Sequence, residues 1–192
     1  MSSLTDRTSA AAADDFVAAL AGLAPDGPVA ALRAFRYDAT RYTQGSHDAL
    51  FSNDVVDLTL RERLYAAWYA ALLSRSDGTA QAYRERLLAL ETASETDDET
   101  DADATSTVLE AIAQARPASV GTVVTTDARL AAILVHTEAV VVQPAATGKS
   151  ALSALQAAGL TTRAIVALSQ LVAFVTYQVR VVAALRALEA QA

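Results

Sequence analysis

The chain has 192 residues, 53% of them apolar, which is enough for one domain with a substantial core. It contains no cysteine, so disulfides, thiolate nucleophiles, CxxC redox pairs and thiolate metal sites are all excluded. The formal net charge is −7 and no basic patch appears, which argues against nucleic acid as a partner.

The apolar pattern is helical almost throughout, and an all-α domain of about eight helices over 1–192 is expected. The N-terminal stretch lacks a basic n-region and carries Asp6, Asp14 and Asp15, so it does not read as a signal peptide, and the cytoplasm is the expected location. A first helix is expected over 10–23, ended by PDGP at 25–28, with Pro28 opening the second. That second helix extends to about Leu50 with a break near Gly45. A third covers 58–73, with Thr59-Leu-Arg-Glu62 as a capping box at its start. SRSDGTAQAY, at 74–83, reads as a bend, and AQAYRERLLAL after it as a fourth helix.

Residues 91–104 hold Glu91, Glu95, Asp97, Asp98, Glu99, Asp101 and Asp103 with no lysine or arginine, as much negative charge as the whole chain's net −7. The rest of the fold is therefore neutral, and 91–105 is expected to be a mobile, solvated loop. A calcium loop counted from Asp97 would need Gly at Ala102 and Glu at Val108, so calcium is not expected. Further helices are expected over 106–115, 127–142 and 149–160, the last stopped by Gly159, followed by a long one over 161–190. VGTVVT and AVVVQP are too short and isolated to build a sheet. The stretch 164–179 is free of charge for only 16 residues, short of the ~20 that span a bilayer, and a buried helix explains it better than a membrane span.

Two segments resemble each other at an offset of 102: DLTLRERLYAAWYAALL (57–73) and GLTTRAIVALSQLVAFV (159–175). Leu58, Thr59, Arg61 and Arg84 match Leu160, Thr161, Arg163 and Arg186. The match suggests a duplicated helical hairpin with halves at 57–90 and 159–190.

From about residue 58 onward the chain resembles the carboxymuconolactone decarboxylase and alkylhydroperoxidase D-like superfamily, especially its peroxidase-related branch. HTEAVVVQPAATGKSALSALQAAGLTTRAIVALSQLVAFVTYQVRVVAAL carries most of that resemblance, and AALAGLAP and SHDALF extend it to a cysteine-less subgroup. The resemblance implies a helical bundle that forms homo-oligomers. Active members place a Glu about six residues after the Leu-Thr pair, then Cys-x-x-Cys, then a His four residues on. Counted from Leu58 without gaps, those positions hold Leu64, Ser76, Thr79 and Tyr83. Hydroxyls cannot replace a thiolate that attacks peroxide and a thiol that resolves it, so no catalytic residue carries over and the bend reads as an emptied site.

Other candidate chemistry is thin. PAATGKS (144–150) lacks the first Gly of a phosphate-binding loop, and a helix-start turn is the better reading. The only histidines, His47 and His136, would need each other and carboxylates such as Asp48 or Glu138 to hold zinc, and their spacing does not bring them together. No metal and no cofactor is expected. Tyr65, Trp68, Tyr69 and Leu72 fall at helical spacing and read as core. Ser169, Gln170, Thr176, Tyr177 and Gln178 interrupt an apolar helix and need partners, some of them across a subunit interface. Two function classes stay open. One is a binding or partner protein holding a small apolar molecule near Trp68, Ser76, Thr79, Tyr83 and His136, or acting beside an active relative. The other is an enzyme of non-thiol chemistry, such as lactone or carboxylate chemistry, with Tyr83 or His136 as proton donor.

Overall fold

A computed structural model describes residues 15–93, 110, 112–113, 125 and 127–192. Every described element is helical: α1 (Phe16–Ala21), α2 (Pro28–Phe35), α3 (Tyr37–Phe51), α4 (Leu60–Leu73), α5 (Asp77–Ala93), α6 (Ala128–Val142), a 3₁₀ turn (Pro144–Ala146), α7 (Lys149–Ala157) and α8 (Thr162–Glu189). The protein is all-α. The candidate calcium loop at 97–108 and most of the acidic stretch fall outside the described residues. Glu91, Thr92 and Ala93 do not belong to a loop: they close α5, and Glu91 accepts from Arg61 Nε at 2.6 Å. Of the helix expected over 106–115, Glu110, Ile112 and Ala113 are described as helical, and Ile112 is fully buried.

The chain divides into two compact units, one formed by the chain up to Phe51 together with Tyr177–Ala192, the other by Ser52–Thr176. In the first, the buried Asp15 caps α1 by accepting from the amides of Val17 and Ala18, and its carboxylate also pairs with Arg33. Gly22, at φ +69°, ends α1 three residues before PDGP, because a left-handed residue lets its amide reach back to the last carbonyls. The second expected helix breaks at Arg36 and not near Gly45. Its end at Arg36 is capped locally, since the Arg33 carbonyl accepts both the Arg36 amide and the Thr40 hydroxyl. Gly45 faces solvent with open space where a Cβ would stand, so the helix tolerates it. The imidazole of His47 packs on the rings of Phe16 and Phe51, with centroids 4.3 and 4.9 Å away. The last part of α8 joins this unit through Arg186, which donates to the Leu20 carbonyl at 2.7 Å.

The second unit is built around α4. Residues 63–71 are all buried, so this helix is wrapped on every side rather than on one stripe, which fits its near-continuous apolar sequence. Ala66, Ala67, Ala70 and Ala71 have no exposed surface and let neighbouring helices approach closely, while Tyr65, Trp68 and Tyr69 fill the volume between them. An aromatic side chain of this kind removes about 150–250 Å² from water, worth roughly 4–6 kcal/mol each at 25 cal/mol per Å². The main neighbours of α4 are α5 and α6. The capping box has both arms: Glu62 N–H donates to Thr59 Oγ1 at 3.2 Å, and Thr59 N–H donates to Glu62 Oε2 at 2.7 Å. AVVVQP is not a strand, since Ala139–Val142 form the last turn of α6.

The starts of α4 and α8 are built alike. Asp57 and Gly159 both have left-handed backbones, at φ +65° and +84°. Each is followed by a buried leucine, Leu58 or Leu160, and then by a threonine that caps the helix. Arg129 of α6 donates to the carbonyl oxygens of Asp57 at 2.6 Å and Gly159 at 2.8 Å, and its Nε donates to Glu62 at 2.6 Å. The likeness ends at the helix starts. Where 57–90 folds back as the α4–α5 hairpin, 159–190 continues as the single helix α8. By length and composition α8 could cross a membrane, a criterion that core helices also meet; Leu168, Leu171, Val172 and Val175 on it have no exposed surface.

Candidate functional site

The bend at 74–83 is much shorter than its sequence suggests. Helix α4 ends in a Schellman turn, in which Ser76 N–H donates to the Ala71 carbonyl and Arg75 N–H to the Leu72 carbonyl. Arg75 takes the left-handed position at φ +57°, which glycine usually fills. Helix α5 then begins at once with Asp77, so Asp77-Gly78 lies in its first turn and not in a loop.

Ser76 sits immediately before α5 and its Oγ donates to Thr79 Oγ1 at 3.0 Å. The two positions that the family resemblance assigns to a redox pair are thus adjacent in space, at a helix N-terminus. A thiol placed there would be acidified by the helix dipole and free backbone amides. Hydroxyls gain no comparable reactivity, and here they satisfy each other. Thr79 and Tyr83 have no exposed surface and share the core-facing side of α5 with Ala80 and Leu87. Leu64 and Trp68, on α4, are 1% and 2% exposed. With His136, five of the six singled-out side chains lie in the interior, and Ser76 is half-buried.

His136 is 3% exposed, and its Nε2 lies 3.1 Å from Ser169 Oγ of α8, while its Nδ1 is buried with no hydrogen-bond partner among the described residues. Burial pushes the imidazole pKa down, so the ring is neutral at pH 7. A buried N–H without an acceptor is costlier than a bare lone pair, which favours the tautomer with Nε2–H donating to Ser169 and Nδ1 unprotonated. In that state His136 is neither a base toward Ser169 nor a ready acid.

Two residues further along α6, and on the opposite side of the helix, Glu138 accepts a hydrogen bond from the Tyr69 hydroxyl at 3.1 Å, with both side chains buried. Burial and the neighbouring Glu138 carboxylate push the Tyr69 phenol well above its ordinary range, so it remains a donor. Spacing along the chain did not reveal this pair, nor the three bonds of Arg129. The available signal was HTE at 136–138, three consecutive polar residues inside an apolar helix, which must face two different neighbours and find partners on each.

His47 lies in the other unit, beside Asp48 at 3.2 Å, and among the described residues no group of three His, Asp or Glu side chains converges as a metal site would require. PAATGKS forms the 3₁₀ turn and the start of α7, with Gly148 preceding the helix. Of the polar groups on α8, Ser169 meets His136, Thr176 Oγ1 donates to the Ala173 carbonyl, and the Tyr177 hydroxyl lies 3.3 Å from Thr43 Oγ1. Comparison with protein-family models, curated proteins and solved structures finds no match for this chain.

Proposed function

We propose that the protein is a helical binding protein on a scaffold of the carboxymuconolactone decarboxylase and alkylhydroperoxidase D type, with the redox site replaced. The observation that carries this reading is the Ser76–Thr79 hydroxyl pair, 3.0 Å apart at the start of α5 in a chain without cysteine. The pair occupies the positions where the resemblance would put a dithiol, and it lacks a dithiol's chemistry. Its ligand is a small apolar molecule held near Trp68, Thr79 and Tyr83, or else the protein acts beside an active relative. Homo-oligomerisation accompanies this reading, supported by the exposed Val166, Gln170 and Ala173 at helical spacing on α8. A cytoplasmic, non-membrane location fits the charge-free stretch of only 16 residues on that helix, which the exposed Arg180 closes.

A non-thiol enzyme is the second reading, and the His136–Ser169 pair is the observation that favours it. The tautomer argued above weighs against it. The deciding experiment combines a hydroperoxide-reduction assay, a lactone and ester hydrolysis assay, and a thermal-shift screen with aromatic acids, lactones and quinones. Binding without turnover is expected, with the stabilisation reduced in Tyr83→Phe. Turnover lost in Ser169→Ala or His136→Gln, with folding intact, would establish the enzyme instead.

A further inference from the structure

The first unit contains a groove of about 220 Å³ between α2, the start of α3 and the end of α8. Its walls are aliphatic: Val29 and Leu32 from α2, Leu185 and Leu188 from α8. Leu32 and Leu188 remain 64% and 49% exposed, so apolar surface is left in water on both sides of the opening. The polar groups at the groove differ in how they are used. The Arg33 guanidinium is paired with Asp15, and the Thr40 hydroxyl donates to the Arg33 carbonyl at 3.2 Å. Arg36, at the break between α2 and α3, has no ion pair or side-chain hydrogen bond among the described residues. The nearest acid in sequence, Asp38, is turned to Arg41 at 3.7 Å.

We propose that this groove binds a short unbranched aliphatic carboxylate, its alkyl chain against the leucines and its carboxylate on Arg36. Charge complementarity selects the headgroup: a planar guanidinium with free N–H groups matches a carboxylate in two-pronged fashion. Volume selects the tail. The space equals that of about seven waters at ~30 Å³ each, the scale of a chain close to octanoate in length. The pattern of apolar walls with one orienting polar group is that of small-molecule sites in general. The inference does not rest on the reading of the α4–α5 hairpin, which shares no residue with the groove.

The test is isothermal titration of the full chain with octanoate and with octan-1-ol. Octanoate should bind saturably with a dissociation constant on the order of 0.1–1 mM, given the modest efficiency of small flexible ligands. Octan-1-ol should bind about three- to ten-fold more weakly, because a partly solvated charge-assisted pair contributes a limited amount. Arg36→Gln, at an exposed position that leaves the fold intact, should bring octanoate to the level of the alcohol, and Leu188→Asp should abolish both while any ligand response of the hairpin persists. Absence of octanoate binding, or equal affinity in Arg36→Gln, would overturn the proposal. So would a wild-type dimer that Leu188→Asp dissociates and octanoate leaves intact, which would identify the groove as a protein interface.

Discussion

Asp57 and Gly159 stand 102 positions apart, turn the chain through the same left-handed backbone, and offer their carbonyl oxygens to one side chain, the guanidinium of Arg129. Arg129 also holds Glu62, which closes the capping box of α4. One residue of α6 thus fixes the starts of two core helices. Three acceptors in different directions require a planar fork, so Arg129→Lys should fail almost as badly as Arg129→Ala. Each should lower stability by about 2 kcal/mol, held down by the partial exposure of the site, and lower the Tm by roughly 4–8 °C. A denaturant titration checks the value, and equality of Lys with wild type would show that a point charge suffices.

The spatial adjacency of Ser76 and Thr79 supports a gain-of-chemistry experiment. Residues i and i+3 at a helix start lie about 5–6 Å apart at Cα, within disulfide range. The double variant S76C/T79C should lose both free thiols on mild oxidation through an internal disulfide, and one of its thiols should titrate below the ordinary ~8.5 because of the helix N-terminus. Thiol counting and mass spectrometry measure this. Intermolecular disulfides alone would show that the pair is not preorganised.

His136 gives the stability a pH dependence. Its folded pKa is lowered by burial, so the unfolded chain binds the extra proton more readily. Its neutral form contributes stability fully above about pH 6.5, and that stability is lost as pH falls below it. Stability should therefore decline as the pH falls below about 6.5, and His136→Gln should flatten this part of the profile. An unchanged slope in the variant would place the titration elsewhere.

Arg75 occupies a backbone conformation that an L side chain adopts at a cost. Arg75→Gly removes that cost while keeping the Schellman bonds of the turn, and should stabilise the protein by about 0.5–1 kcal/mol. The size is small because glycine also gains freedom in the unfolded chain. A rise in the urea midpoint with unchanged m-value is the expected reading.

Local chemistry was legible in the sequence and through-space chemistry was not. The capping box at Thr59 and Glu62, the stop at Gly159 and the buried aromatics of α4 follow from rules within one turn of helix. Glycine's low helix propensity points to a break at Gly45, whereas an exposed glycine costs only about 1 kcal/mol, and the helix runs through it and breaks at Arg36 instead. Tyr69 with Glu138 and His136 with Ser169 are 69 and 33 positions apart, and no periodicity encodes such pairs. The repeat between 57–73 and 159–175 was visible, but its physical content, two left-handed residues under one arginine, needed the fold.

Trp68 is the only tryptophan of the chain and lies buried on α4, so its emission reports on the proposed ligand region without a label. The most direct test is a fluorescence titration of the purified protein with aromatic acids, lactones and quinones. One class should change the Trp68 emission saturably, Tyr83→Phe should weaken that response, and no product should form. Emission that stays flat across every class, or a response accompanied by turnover, would contradict a binding role for this scaffold.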